Sequence, residues 1–114
     1  MLIAFSVAPS GAPSASIAPA PDGSVHDAVA AAVRVVRESG LPHRTSSMFT
    51  EIEGEWDEVM AVVKAATEAV GAYGSRVSLV LKADIRPGYT GEIDAKLERL
   101  EDAITEADGT SAHA

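Results

Sequence analysis

What most constrains the fold of this 114-residue chain is the order in which its hydrophobic period changes. The stretch "LIAFSV" (Leu2 to Val7) is a short apolar run closed by Pro9, Ser10 and Gly11, which reads as a strand buried on at least one face. "SVHDAVAAAVRVVRESG" then shifts to helical spacing: Ser24 and Asp27 stand at capping-box distance, and Val25, Val29, Ala32, Val33 and Val36 form a stripe. Gly40 falls where a left-handed C-cap belongs. Two short extended pieces follow, roughly residues 42–45 and 47–53, separated by small polar residues that permit a tight reversal. A second helix carries Val59, Val62, Val63, Ala66 and Val70 on one face, with Gly71 near its end. In "SRVSLVLKADI", Val77, Leu79, Leu81 and Ala83 alternate with Ser78, Val80, Lys82 and Asp84, the period of a half-buried strand. "RPGYTG" breaks it. A last helix from about Thr90 to Ala107 aligns Ile93, Leu97, Leu100 and Ile104, and "GTSAHA" reads as a frayed tail.

Strand, helix, strand, strand, helix, strand is the split βαβ order of an α+β sandwich. A ferredoxin-like βαββαβ fold with an extra C-terminal helix is therefore expected, with an antiparallel sheet carrying its first two helices on one face. Alternation then places Ile3, Phe5, Val7, Leu79 and Leu81 toward the helices, and Leu2, Ala4, Ser6, Ser78, Val80, Lys82 and Asp84 on the other face. Half of that second set is apolar, so a partner sheet, the third helix or a ligand is expected to cover it. The domain spans residues 1–107. It includes an Ala/Pro/Ser/Gly-rich loop over 9–23 in which Ile17 is the one substantial anchor, and residues 108–114 form a disordered tail.

Composition removes several classes of function. A formal net charge of −8 argues against binding nucleic acid, which rests on clustered Lys and Arg, and favours cationic small molecules. The chain has no cysteine, which excludes disulfides, thiol catalysis and thiolate metal sites. His26, His43 and His113 are scattered without the pairing of a zinc or nucleophile site, and the acidic string after Glu51 lacks the alternating oxygen ligands of a calcium loop. "GAYGS" and "PSGAPS" contain glycines but lead into no phosphate-binding helix. No cofactor or metal is expected. The apolar N-terminus lacks a basic leading segment and no apolar run is long enough to cross a bilayer, so the chain reads as cytoplasmic and not membrane-bound. With aromatics at only 4%, the core must be built from many small side chains, and association would add burial.

The stretch "MFTEIEGEWDEV", from Met48 to Val59, sets Thr50, Glu51 and Glu53 just ahead of a glycine, a tryptophan and more acids. Glu55, Asp57 and Glu58 read as carboxylates favoured by a helix N-terminus, and Glu53 as either such an acid or a ligand group. Thr50 is a β-former or a hydroxyl partner. Trp56 closes the end of the core or offers a ring face to a cation. Ser6 touches ligand or lets sheets approach. Lys82, Asp84 and Arg86 read as an ion network crossing between subunits or as a solvated, charge-blunted strand edge, the commoner case.

"AFSVAPSG", "VRESGLPHRTSSMFTEIEGEWDEVMAVVKAATEAV" and "RVSLVLKADIRPG" together resemble the small thiamine-binding protein family across nearly the whole chain. The most specific string is Met48, Thr50, Ile52, Glu53 and Gly54, supported by Ser6, Val7, Pro9 and Gly11. The resemblance implies a non-enzymatic binder of thiamine or its hydroxymethylpyrimidine part, acting in carriage, storage or sensing. It also implies homo-oligomers, dimers or tetramers, built by packing sheets. Ser6, Met48, Thr50, Ile52, Glu53 and Trp56 are the ligand-binding candidates it points to. The sequence departs from the family in its long loop after the first strand, in Phe49 where a glycine is expected and in Ser47 where a proline is common. An aminopyrimidine presents an exocyclic amine donor beside ring-nitrogen acceptors, which suits the carboxylate of Glu53 beside the hydroxyl of Thr50. A thiazolium cation suits carboxylates and the Trp56 face. In a regular strand, however, Thr50 and Glu53 point to opposite faces. The competing readings are a structural or regulatory oligomerisation module without a ligand, and a small cofactor-free enzyme with Glu53 or His43 as its titratable group.

Overall fold

The computed structural model describes residues 1–14 and 26–113, with side chains up to residue 107. Four strands form one antiparallel sheet: β1 (Leu2–Ser10), β2 (His43–Thr45), β3 (Thr50–Glu53) and β4 (Arg76–Asp84), in the order β2-β3-β1-β4. Between them run α1 (His26–Glu38) and α2 (Trp56–Val70), a short 3₁₀ turn (Gly71–Tyr73) precedes β4, and α3 (Glu92–His113) closes the chain. This is the ferredoxin-like α+β sandwich that the order of periods predicts.

The register shows how alternation becomes a core. Opposite β1, Ile3 meets Ile52 and Phe5 meets Thr50 on one side, while Phe5 meets Leu81 and Val7 meets Leu79 on the other. Residues paired in this way share a face, and Ile3, Phe5, Val7 and Ile52 are all buried against the helices. From α2, Val59, Val63, Ala66 and Val70 complete the core at the spacing expected of one helical stripe. The buried set is short-chained, as the low aromatic content requires.

Several boundaries differ from the sequence reading. The α1 face is set by Ala28, Ala32 and Val36, whereas Val29 is exposed. Two alanines on the buried line bring α1 close to α2 and the sheet; Ala32 and Val36 of the expected stripe stay inward, Val33 is half-buried and Val29 falls outside it. Strand β1 runs on through Pro9 to Ser10. Beyond Phe5 its one paired strand among the described residues is β4, and a strand unpaired on its other side tolerates a proline. The hairpin strands are shorter than expected because the Ser46 N–H and hydroxyl both reach the Phe49 carbonyl, at 2.9 and 3.0 Å, and close the reversal tightly. The α3 backbone stays helical to His113 instead of ending near Ala107: with no proline to stop it, Gly109 alone only weakens the helix. Ile17, Ser24 and Val25 lie outside the described residues.

Two glycines are spatially required where β1 ends. Gly11 has a φ of 78°, and a Cβ there would run into the Ser75 hydroxyl. At Gly74 a Cβ would stand 2.5 Å from the Ser10 carbonyl oxygen and 2.8 Å from its nitrogen, both main-chain atoms that cannot swing aside. Gly74→Ala is therefore expected to cost about 1–3 kcal/mol through forced backbone shifts, read as a lower midpoint in urea unfolding. Gly71→Ala, where a Cβ meets nothing within 4 Å, should be tolerated.

Candidate functional site

The site lies at the end of the sheet where β3 hands over to α2. Glu53 is the last residue of β3 and pairs with Leu2, so it projects onto the face away from α1 and α2, whereas Thr50 pairs with Phe5 on the helix face. The expected opposition of these two side chains is therefore present. Glu53 is only 5% exposed, yet no buried side-chain polar atom among the described residues lacks a partner. Its Oε2 accepts the Glu92 N–H at 2.9 Å and its Oε1 accepts the Ile93 N–H at 3.2 Å. These are the first two amides of α3, which no residue within the helix can satisfy. A carboxylate there meets both the orphan donors and the positive end of the helix dipole.

Side chains on three strands hold α3 by its first turns. Arg44 on β2 donates to Asp94 at 2.6 Å, and Lys96 reaches back to Asp84 on β4. Hydrogen bonding and charge from Lys96, with smaller contributions from Arg86 and Lys82, hold the Asp84 carboxyl below its usual value. The carboxylate of buried Glu92 is paired with Arg99, about two turns further on, at 2.6 Å. Asp84 thus belongs to a brace for the third helix.

Around Glu53 the surface is hollow on both sides. One cavity of about 190 Å³ is bounded by Pro42, His43, Arg44, Glu53 and the start of α3. A second, also about 190 Å³, is walled by Met1, Leu41, Pro42, Glu53, Gly54 and Glu55, with Tyr89, Thr90 and Gly91 opposite. The latter shares Met1, Glu55, Tyr89 and Thr90 with a larger cleft of about 290 Å³ that continues past Trp56, Ile85 and Arg86. The loop that makes this wall is a turn from Arg86 to Tyr89, closed by the Tyr89 N–H on the Arg86 carbonyl at 3.2 Å. Pro87 in its second position and Gly88 at a φ of 85° in its third are the residues a type II turn requires. Within it the Arg86 guanidinium lies 3.6 Å from the centre of the Tyr89 ring, a cation–π contact.

Of the six ligand candidates, the connected clefts bring together Glu53 and Trp56. Trp56 opens α2 and is exposed at the larger cleft instead of closing the core. Thr50 and Ile52 are buried under the helices, Ser6 sits opposite Val80 on the open sheet face, and Met48 is exposed on the β2–β3 turn. Those four do not line the clefts. Glu58 acts as the helix-start acid that was expected, its Oε1 accepting the Glu55 N–H at 3.2 Å. Sequence reasoning missed Leu41, Pro42, Glu55, Tyr89 and Thr90 as wall residues. One signal was available: a tyrosine inside a Gly/Pro-rich breaker, in a chain with so few aromatics, has no core to fill.

The family model for thiamine-binding protein matches residues 3–101. The chain belongs to that family. A UPF0045 protein of Mycobacterium bovis is 48% identical over 102 residues, covering 89% of this chain and 91% of its own. Among solved structures, a hypothetical protein of Methanocaldococcus jannascii superposes with a TM-score of 0.73 at 28% identity, over 88% of this chain and 94% of that one. A Thermotoga maritima protein, described as a candidate thiamine biosynthesis or salvage protein, shares the fold at a TM-score of 0.66 and 22% identity, covering 85% and 96%. Both strings that carry the resemblance have physical roles in the fold: Pro9 and Gly11 lie where β1 ends, and Glu53 ties the sheet to α3. No helix of the described residues is long and apolar enough to cross a membrane, and among them no group of three or more His, Cys, Asp or Glu is placed to hold a metal ion.

Glu53→Gln tests the tie directly. Glutamine keeps one acceptor oxygen and turns an amide group toward the other helix N–H, so a hydrogen bond to a charged acceptor is lost. A destabilisation of about 1.5–3 kcal/mol is expected, visible as a drop in melting temperature. A Glu51→Gln control on the same strand, at a half-buried position, should change little.

Proposed function

We propose that this protein binds thiamine, or the hydroxymethylpyrimidine part of it, without transforming it, as a homo-oligomer packed through its open sheet face. The observation that carries the reading is the pair of connected clefts, which meet at Glu55 and Tyr89 and so offer one elongated site to a two-ring ligand. Family membership supports the ligand class. The smaller cleft suits an aminopyrimidine: the Glu53 carboxylate has about four lone-pair sites and α3 uses two, so an exocyclic amine can be accepted without releasing the helix. The larger cleft suits a thiazolium cation at its Glu55 and Trp56 end, with Glu55 as its counter-charge and the Trp56 ring as its wall, the Tyr89 ring being stacked by Arg86. Carriage, storage or sensing are the uses consistent with binding alone, and a protein of this acidity receives a cation in any of them. The cytoplasm is the compartment that fits such a role.

Calorimetric titration of thiamine, hydroxymethylpyrimidine and an isolated thiazole into the purified protein tests the reading. Saturable binding of the two pyrimidine compounds is expected. Trp56→Ala should weaken thiamine about fivefold to thirtyfold, the worth of a cation–π contact of roughly 1–2 kcal/mol, and leave hydroxymethylpyrimidine nearly unchanged. If no compound gives heat or a thermal shift, the ligand reading is sunk and a purely structural assembly module takes its place.

A further inference from the structure

One charge in the larger cleft has the wrong sign for a purely cationic guest. The cleft, of about 290 Å³, is lined by Glu55 and Trp56 from the start of α2 and by the turn at residues 86–90. Among its lining side chains Glu55 is the acid and Arg86 the base. A lone cation placed along the whole cleft is drawn to the first and repelled by the second, and at separations of a few bond lengths the two effects are comparable.

Arg86 is also set in advance for a partner it does not have. Its guanidinium lies over the Tyr89 ring, 3.6 Å from the centre, and a guanidinium held over a ring keeps its N–H edges for other partners. Among the described residues it joins no ion pair or hydrogen bond: Asp84, two residues earlier, is taken by Lys96. Gly88 and Thr90 line the same cleft, and no hydrogen bond within those residues uses their N–H groups or the Thr90 hydroxyl. A fixed guanidinium beside unused N–H and hydroxyl donors matches a phosphate, whose outer oxygens are strong acceptors.

Thiamine has a place for such a group. Its thiazolium ring carries a hydroxyethyl tail, and a phosphate ester on that alcohol puts a cation and an anion a few bonds apart in one molecule. We propose that Arg86 makes the larger cleft a site for the phosphate ester of the thiazolium alcohol, so that the phosphorylated ligand is preferred over the free alcohol. The thiazolium keeps Glu55 and Trp56, and the phosphate takes Arg86 with the donors of Gly88 and Thr90. The ester's own cation offsets much of the phosphate charge, so a net charge of −8 on the chain opposes it far less than it would a simple anion. The inference deepens the proposed function and rests on its placement of the two rings, pyrimidine in the smaller cleft and thiazolium in the larger.

Calorimetric titration of thiamine, thiamine monophosphate and thiamine diphosphate into the full chain tests it, with Arg86→Gln and Arg86→Lys beside the wild type. The wild type is expected to bind the better of the two esters about ten- to a hundredfold tighter than thiamine, the worth of charge-assisted hydrogen bonds to phosphate. In Arg86→Gln that ratio should fall to about one, and in Arg86→Lys, which keeps the charge without the planar fork, it should lie between. Because the ratio compares ligands on one protein, a turn disturbed by the substitution weakens ester and alcohol together and leaves the ratio to report on the phosphate. Equal affinity for thiamine and both esters in the wild type, or a preference that survives in Arg86→Gln, overturns the inference while thiamine binding stands. An ester that binds where the free alcohol gives no heat upholds it. No heat with any of the three removes the inference together with the ligand reading.

Discussion

The carboxylate of Glu53 on the first two amides of α3 is the contact from which the rest of the functional end is organised. An α-helix starts with N–H groups that nothing inside it can satisfy, and burying them against a sheet is costly unless an acceptor waits there. Glu53 supplies both acceptors from the end of β3, a span of 39 residues in sequence for the first of them. Once α3 is fixed at that point, Arg44 and Lys96 find Asp94 and Asp84, and the loop before the helix must pass over Met1 and Leu41. The clefts are the space this loop leaves.

A single residue thus serves fold and site together. Family strings are easily read as ligand contacts, and here Ile52 is core, Thr50 is buried beneath the helices, Gly11 is needed where β1 ends and Glu53 closes a helix. Glu53 caps α3 through both carboxylate oxygens and lines the cleft beside it. The cleft residues at the edge of that cap, Glu55, Trp56 and Tyr89, come from the segments immediately following β3 and immediately preceding α3.

Low aromatic content shapes the molecule at a larger scale. A core of Val, Ala and Ile brings the helices close to the sheet but buries little area per residue, and among the described residues the second face of the sheet stays exposed around Val80. Apolar surface also remains along α3. The few aromatics are divided accordingly: Phe5 fills the core, while Trp56 and Tyr89 stay at the clefts.

Hydrophobic period was enough to determine the element order and the inward residues of β1 and α2, and a glycine after the α1 stripe marked the left-handed turn at Gly40, because each depends on neighbours within a turn or a strand; the family came from the resemblance of particular strings instead. It also placed Glu53 and Thr50 on opposite faces, since alternation is a local property of a strand. Which alanines face inward on α1 depended on how close α2 comes, and where α3 stops depended on a helix end that no local breaker enforced. The partner of Glu53 was beyond sequence for a simpler reason. Any of the acids from Glu51 to Glu58 satisfies the local rule for a helix start, and only the folded sheet decides which of them meets the amides of a helix that begins dozens of residues later.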